Sequence, residues 1–309
     1  MRITEQGEPG KPLVLLVHGW PELAYSWRYQ MQPLAQAGYY VVAPDMRGYG
    51  GTDAPPDPQD YDILTIVEDL KDLVRLCGAQ QAVIVGHDWG ALIAWHAALL
   101  APEVFRAVAA MSVPWYGLPP APPMRILSKR HGDQFNYILY HQHEGLAEQE
   151  YDADPEGLLR MLYAAPGAPR EAPSILDSHR DAGGFIGRWG RPLELPAWLD
   201  DKDLQVYVDS FKRTGFRGGL NYYRNFDRNW DIMQGRDPVV RVAALYIAGS
   251  EDLVVAGMDS ETIGKRMRGV VPELRHLEWI EGAGHWIQQE YPGRCNRVLL
   301  EFLAGLKYG

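Results

Sequence analysis

The chain has 309 residues, longer than one ordinary domain and short for two, with 46% apolar residues and a formal net charge of −10. That composition excludes a disordered chain, and the negative balance speaks against nucleic acid or an anionic membrane surface as a partner, since both need clustered Lys and Arg. Two cysteines without CxxC spacing, Cys77 and Cys295, fit neither a disulfide framework nor a metal site, and the default setting is a reducing, cytoplasmic one.

In chain order, the opening MRITEQGEPGK lacks the apolar h-region of a signal peptide. The runs LVLLVHG (13–19), YYVVAPD (39–45), AVIVGH (82–87) and AALYIAGS (243–250) are continuously apolar. They predict strands buried on both faces, the mark of a parallel sheet covered by helices. Thr65 to Leu76 predicts a helix: Ile66, Leu70, Leu73 and Cys77 recur at spacings of four, three and four, and Thr65 with Glu68 forms a capping box. The longest apolar stretch, Ala91 to Leu100, is broken by His96, followed by Pro102, and too short to span a bilayer. After AAMSVPW, near residue 115, the Pro-rich YGLPPAPP reads as a linker. Residues 116–232 have no convincing buried strand and are rich in Gly, Pro, Tyr and Trp; alternation of strand and helix resumes at Val239. The expectation is an α/β core of residues 1–115 and 233–309 with a mostly parallel sheet, interrupted by a helical cap of residues 116–232.

The chemistry concentrates at GHDWGA (86–91), where Asp88 stands between Gly86 and Gly90 at a tight strand-to-helix turn. G-x-D-x-G has the shape of a nucleophile elbow with carboxylate in place of serine. A carboxylate that attacks carbon forms an ester, which must then be hydrolysed. That step needs a base for water, an acid to orient it, and donors for an oxyanion. His285, in IEGAGHWIQQE, is the candidate base; Asp252, in LYIAGSEDLVV, is the candidate acid, with Glu251 as its neighbour and alternative. HGWPE (18–22) follows the first buried strand and supplies the Trp20 N–H as an oxyanion donor, with the Trp89 N–H just past Asp88 as the second. His18 and His87 are expected to hold strand-end loops, and Asp45 with Arg47 to fix another. The HQH of His141 to His143 lacks a third ligand motif and is expected to lie on a solvated helix face.

The order Asp88, Asp252, His285 is that of the α/β-hydrolases. HGWPE, DMRGYGGTD, GHDWGA, GSEDLVV and GAGHW together resemble the α/β-hydrolase-fold epoxide hydrolases, and nearly the whole chain takes part in the resemblance. FNYILYHQHEG (135–145) and FKRTGFRGGLNYYRN (211–225) are similar to that family's two cap tyrosine segments. The resemblance implies that Tyr137 and Tyr223 bind the epoxide oxygen, with Tyr140 and Tyr222 as adjacent rivals. It implies hydrolysis of an epoxide to a vicinal diol through an ester on Asp88, without metal or organic cofactor, by a monomer or homodimer; the abundant Trp and Tyr of the cap point to a small apolar substrate. In one respect the chain departs from the family: about one more strand usually precedes RITEQGEPGKP, so the chain starts inside what looks like the second strand of the opening hairpin.

Two rival readings remain at this level. A haloalkane dehalogenase shares the carboxylate nucleophile and even GHDWG, but that family typically places Asn after HG or a second Trp in the cap, and Trp20 stands here. Fluoroacetate-type enzymes usually carry Arg after the nucleophile, where this chain has Trp89. A non-catalytic ligand binder on the same fold would have no need of Asp88, Asp252 and His285 together. Turnover of any epoxide separates the two classes.

Overall fold

The computed structural model describes residues 1–165 and 167–306. Among these residues seven strands form one sheet: β1 (Ile3–Gln6), β2 (Leu13–Val17), β3 (Tyr40–Pro44), β4 (Ala82–His87), β5 (Phe105–Met111), β6 (Ala243–Gly249) and β7 (Leu274–Ile280), in the order β1-β3-β2-β4-β5-β6-β7. β1 runs antiparallel to β3; every other pair is parallel. The continuously apolar runs are the interior strands. β2, β3, β4 and β6 are buried at every residue, because helices cover both faces of a parallel sheet. The edges differ: β1 is exposed throughout, and β7 mixes buried with exposed positions.

Contacts divide the chain into two compact units. The first comprises Met1–Met46, Ile63–Leu118 and Gly235–Gly309, and contains the whole sheet. The second comprises Arg47–Asp62 and Pro119–Gln234. Arg47–Asp62 lies in the stretch read from sequence as core, yet its contacts are with the second unit: the Tyr222 hydroxyl donates to the Arg47 carbonyl at 2.9 Å, and Arg217 reaches the Pro56 carbonyl at 3.2 Å. Among its described residues the second unit has helices and two isolated bridges but no strand. Its interior is aromatic, with Phe211 and Phe216 stacked at 4.4 Å and Tyr49 and Tyr61 both against Tyr222.

The predicted helix at 65–76 begins two residues earlier, at Ile63, so Thr65 lies inside it and does not cap it. Ile63 is buried and starts the stripe that continues through Ile66, Val67, Leu70, Leu73 and Val74. Burial of that stripe outweighs the local capping signal, as tertiary packing usually does in a helix. Among the described residues no helix is long and apolar enough to cross a membrane.

Candidate active site

A parallel sheet delivers the carboxyl ends of its strands to one side, and the register here aligns them: Val17 faces Gly86, Gly86 faces Ala110, Met111 faces Ile247 and Gly249 faces Ile280. Residues directly after β2, β4, β6 and β7 are thereby gathered at one rim, the usual place for a site in an open α/β sheet.

Asp88 follows β4 and precedes the helix Trp89–Leu100, with φ 54° and ψ −118°. A side chain other than glycine in that region costs about 1–3 kcal/mol, and such strain clusters at functional sites. The turn closes because its flanks are glycine. A Cβ on Gly86 would lie 2.0 Å from the Gly90 carbonyl oxygen, and one on Gly90 would lie 2.0 Å from that of Val17.

The Trp20 N–H donates to Asp88 Oδ1 at 2.8 Å, and His285 Nε2 lies 3.5 Å from Asp88 Oδ2. On its other side, His285 Nδ1 donates to Asp252, 3.0 Å from Oδ1 and 3.1 Å from Oδ2. Asp252 is buried, and it also accepts from the Val254 N–H at 2.9 Å, capping the short turn Leu253–Val255. Glu251 is exposed, so the buried member of the pair is the one that meets the histidine. Trp89 opens the helix immediately after Asp88.

Burial disfavours the charged form of both partners, but their mutual attraction outweighs it. Asp252 is held below the ordinary carboxylate range by the charge of His285. His285 is held well above its ordinary value by the carboxylates of Asp252 and then Asp88.

The backbone around His285 is fastened at three successive residues. The Gly284 and Trp286 N–H groups donate to the Glu290 carboxylate at 2.7 and 2.8 Å. The His285 carbonyl accepts from His87 Nε2 at 2.7 Å and from Ser112 Oγ at 2.8 Å. His87 Nδ1 in turn donates to Glu22 at 2.7 Å. Burial pushes the Glu22 carboxyl up, but the charge of His87 overrides it and holds it low. Glu22 also accepts the Gly19 N–H and the Gln288 side-chain amide, each at 2.8 Å. One buried carboxylate therefore joins the loop after β2, the end of β4 and the loop after β7. His18 is fixed as a neutral ring, its Nδ1 donating to the Gly19 carbonyl at 2.9 Å and its Nε2 accepting the Met46 N–H at 2.9 Å. Asp45 holds its own loop through Arg2 and the Ala24 N–H, each at 3.1 Å.

Glu22, Ser112 and Glu290 carry no chemical motif of their own and were not singled out from sequence. Two were within reach, since Glu22 closes HGWPE and Glu290 ends IEGAGHWIQQE. Ser112, with φ 69°, had no signal beyond standing at the end of a strand.

The tyrosine candidates belong to the second unit. Tyr137 begins the one-turn helix Tyr137–Tyr140, capped by Asn136 Oδ1, and Tyr223 lies in the helix Arg217–Arg224. Their rings are 6.1 Å apart at 77°. The rivals are tied elsewhere: the Tyr140 hydroxyl donates to Glu150 at 2.9 Å, and the Tyr222 hydroxyl to the Arg47 carbonyl. The HQH expectation fails for its first member. His141 is fully buried, 2.8 Å from the Tyr151 hydroxyl, while His143 is exposed. A helix of one turn presents no long polar face, and His141, four residues after Tyr137, shares the aromatic side.

A sheet of this order with a strained elbow at the end of a central strand defines the class, an α/β hydrolase, and the family model for the alpha/beta hydrolase fold matches residues 12–292. Epoxide hydrolase A of Mycobacterium tuberculosis (strain ATCC 25618 / H37Rv) is 45% identical over 313 residues, covering 99% of this chain and 95% of that protein. Bifunctional epoxide hydrolase 2 of Sus scrofa is 37% identical over 94% of this chain, which spans 51% of that longer protein. The crystal structure of Epoxide Hydrolase A from Mycobacterium thermoresistibile superposes with a TM-score of 0.91 at 43% identity, covering 99% of this chain and 95% of that one. The chain belongs to the epoxide hydrolases of the α/β-hydrolase fold.

Proposed function

We propose that this protein hydrolyses a small apolar epoxide to a vicinal diol through an ester on Asp88. The observation that carries the reading is the division of labour between the two Asp88 oxygens. Oδ1 accepts the Trp20 N–H, whereas Oδ2 is the oxygen nearer His285. Oδ2 attacks an epoxide carbon and the carbon–oxygen bond of the ring breaks. Tyr137 and Tyr223 hydrogen-bond the departing oxygen, and one phenol gives it a proton. A hydroxyalkyl ester and a tyrosinate result.

Hydrolysis follows at the Asp88 carbonyl carbon. His285 Nε2 takes a proton from water, and the oxygen of that water adds to the carbon. Negative charge gathers on Oδ1, where the N–H groups of Trp20 and Trp89 meet it. The intermediate collapses and Oδ2 leaves with the diol, taking its proton from the imidazolium. The proton remaining on the Asp88 carboxyl returns through solvent to the tyrosinate, and the resting state is restored.

The charge balance supports this order of events. Between two carboxylates the resting His285 favours its protonated form, which is no base. Esterification removes the charge of Asp88, one of the two influences that raise it. The histidine then releases its proton to solvent more readily, after ring opening and before water must be activated, and it takes one back from solvent once Asp88 is again a carboxylate.

The aromatic second unit supports an apolar substrate, and the two cysteines without a disulfide fit the cytoplasmic setting proposed for it. The test is a single turnover with enzyme in excess, in oxygen-18 water. The reading expects unlabelled diol at first, label in the peptide holding Asp88, and labelled diol from later turnovers. A fully labelled first diol with no label in the protein would reduce Asp88 to a general base.

A further inference from the structure

We infer that His141 is a positioning residue for ring opening: its imidazole sets the mutual orientation of the Tyr137 and Tyr223 phenols. The inference rests on the proposed role of those two tyrosines as proton donors.

The His141 ring is fully buried and lies edge-on to both phenols, 4.6 Å from Tyr223 at 76° and 5.5 Å from Tyr137 at 73°. A third aromatic ring fixes its own rotation. Nε2 shares a 2.8 Å hydrogen bond with the Tyr151 hydroxyl, and Tyr151 is itself buried, 5.7 Å away at 89°. The backbone is laced at the same place. The Gln142 amide donates to the Tyr223 carbonyl at 3.1 Å and to that of Ile138 at 2.9 Å, while Arg224 Nε donates to the His141 carbonyl at 3.0 Å. The segments bearing the two phenols are thus joined through residues 141 and 142 on one side and 223 and 224 on the other.

The ring stays neutral in this setting. Burial, and then the charge of Arg224, push His141 down to about 3. A neutral imidazole orients the phenols without placing a charge beside them. Phenylalanine would fill a similar volume, but it would have no hydrogen bond to Tyr151 to fix the plane of its ring. Precision matters here because a misplacement of 1 Å costs up to about a hundredfold in rate.

The test separates the two chemical steps. Styrene oxide is mixed with excess enzyme, and intact-protein mass spectrometry after rapid quenching follows formation and decay of the ester. His141→Ala is expected to slow ester formation about tenfold or more and to leave its decay within about twofold of wild type. Tyr151→Phe, which keeps the packing and removes one hydroxyl, should shift the same step in the same direction by less, and it decides the matter if His141→Ala does not fold. Ester formation within about twofold of wild type in the folded variants would overturn the inference, as would an equal fall in both steps, which marks a merely structural residue. The double variant Tyr137→Phe/Tyr223→Phe is run alongside. If it forms ester normally, the reading of the tyrosines fails; if it does not, while the His141 and Tyr151 variants do, His141 alone is misassigned.

Discussion

His285 has carboxylates on both sides, and each governs a different property. Asp252 fixes the ring and raises its proton affinity; Asp88 raises it too, in the proposed reaction only until it becomes an ester. Replacing Asp252 by Asn removes the larger of the two charges. Decay of the ester should slow by roughly 10²–10⁴-fold, because the ring loses its orienting acceptor. The acid limb of that decay should move to lower pH, since the remaining influence, burial, lowers the pKa of an imidazole; quench experiments across pH read both effects. His285→Gln leaves attack by Asp88 possible and removes the base. The protein should then gain one substrate mass on the peptide holding Asp88, and diol formation without that adduct would remove His285 from the reaction. Tyr137→Phe and Tyr223→Phe should each slow ring opening by roughly 10–100-fold, and together by about 10⁴-fold, as for loss of a general acid. At this scale the sequence was most legible where a candidate stands at a strand end inside a Gly-containing turn, as Asp88 does in GHDWGA and His285 in GAGHW; for Asp252 the letters left Glu251 open, and burial separates the two. The sequence was least legible for His141. The letters HQH do not reveal which histidine faces the aromatic interior, because a one-turn helix is too short to show a period.

Among the elements, the elbow is the least tolerant of change. Gly86→Ala would place a methyl group 2.0 Å from the Gly90 carbonyl oxygen, and neither backbone segment can move without disturbing the sheet. The expected loss is about 3 kcal/mol or more, read as a lower urea midpoint with unchanged slope. Gly293 offers the contrast: it lies in the helix Pro292–Ala304 with open space where a Cβ would stand. Gly293→Ala should stabilise by about 0.4–1 kcal/mol, because alanine has less freedom to lose on folding. A comparable loss at both positions would show that crowding is not what the elbow glycines avoid. The elements themselves were read well where the pattern was long. Four continuously apolar runs became four interior strands, with ends that agree to within two residues. The edge strand β1 has four exposed residues, so no burial pattern could announce it. The helix at Ile63 began where its apolar stripe began and not at the capping box, because the box is local and the stripe is held by the core.

Over the whole molecule, buried histidines set how stability depends on pH. His18, His96 and His141 are all held below the ordinary imidazole value, burial being the leading cause in each. In the unfolded chain a histidine takes its proton near pH 6.5, so below that pH the unfolded state binds more protons than the folded one. The stability these groups contribute is therefore complete above about pH 6.5 and is lost progressively as the pH falls toward their folded values, at no more than about 1.4 kcal/mol per unit for each. His285 has the opposite sign. Its folded value is raised, so its contribution is full below about 6.5 and declines as the pH rises toward the folded value. Asp252 and Glu22, held low, add a further loss only below the ordinary carboxylate range. Burial raises the carboxyls of Glu290 and Asp152, which bind protons more readily folded than unfolded and so work against the histidines as the pH falls. With three histidines against them, the urea midpoint should pass through a maximum near neutral pH and fall between pH 6.5 and 5. Tyr151→Phe should leave that slope in place, because it leaves His141 buried, whereas His141→Phe should make it shallower by removing one of the three groups. A midpoint that is flat or rising between pH 6.5 and 5 would mean that these histidines do not remain neutral in the folded protein.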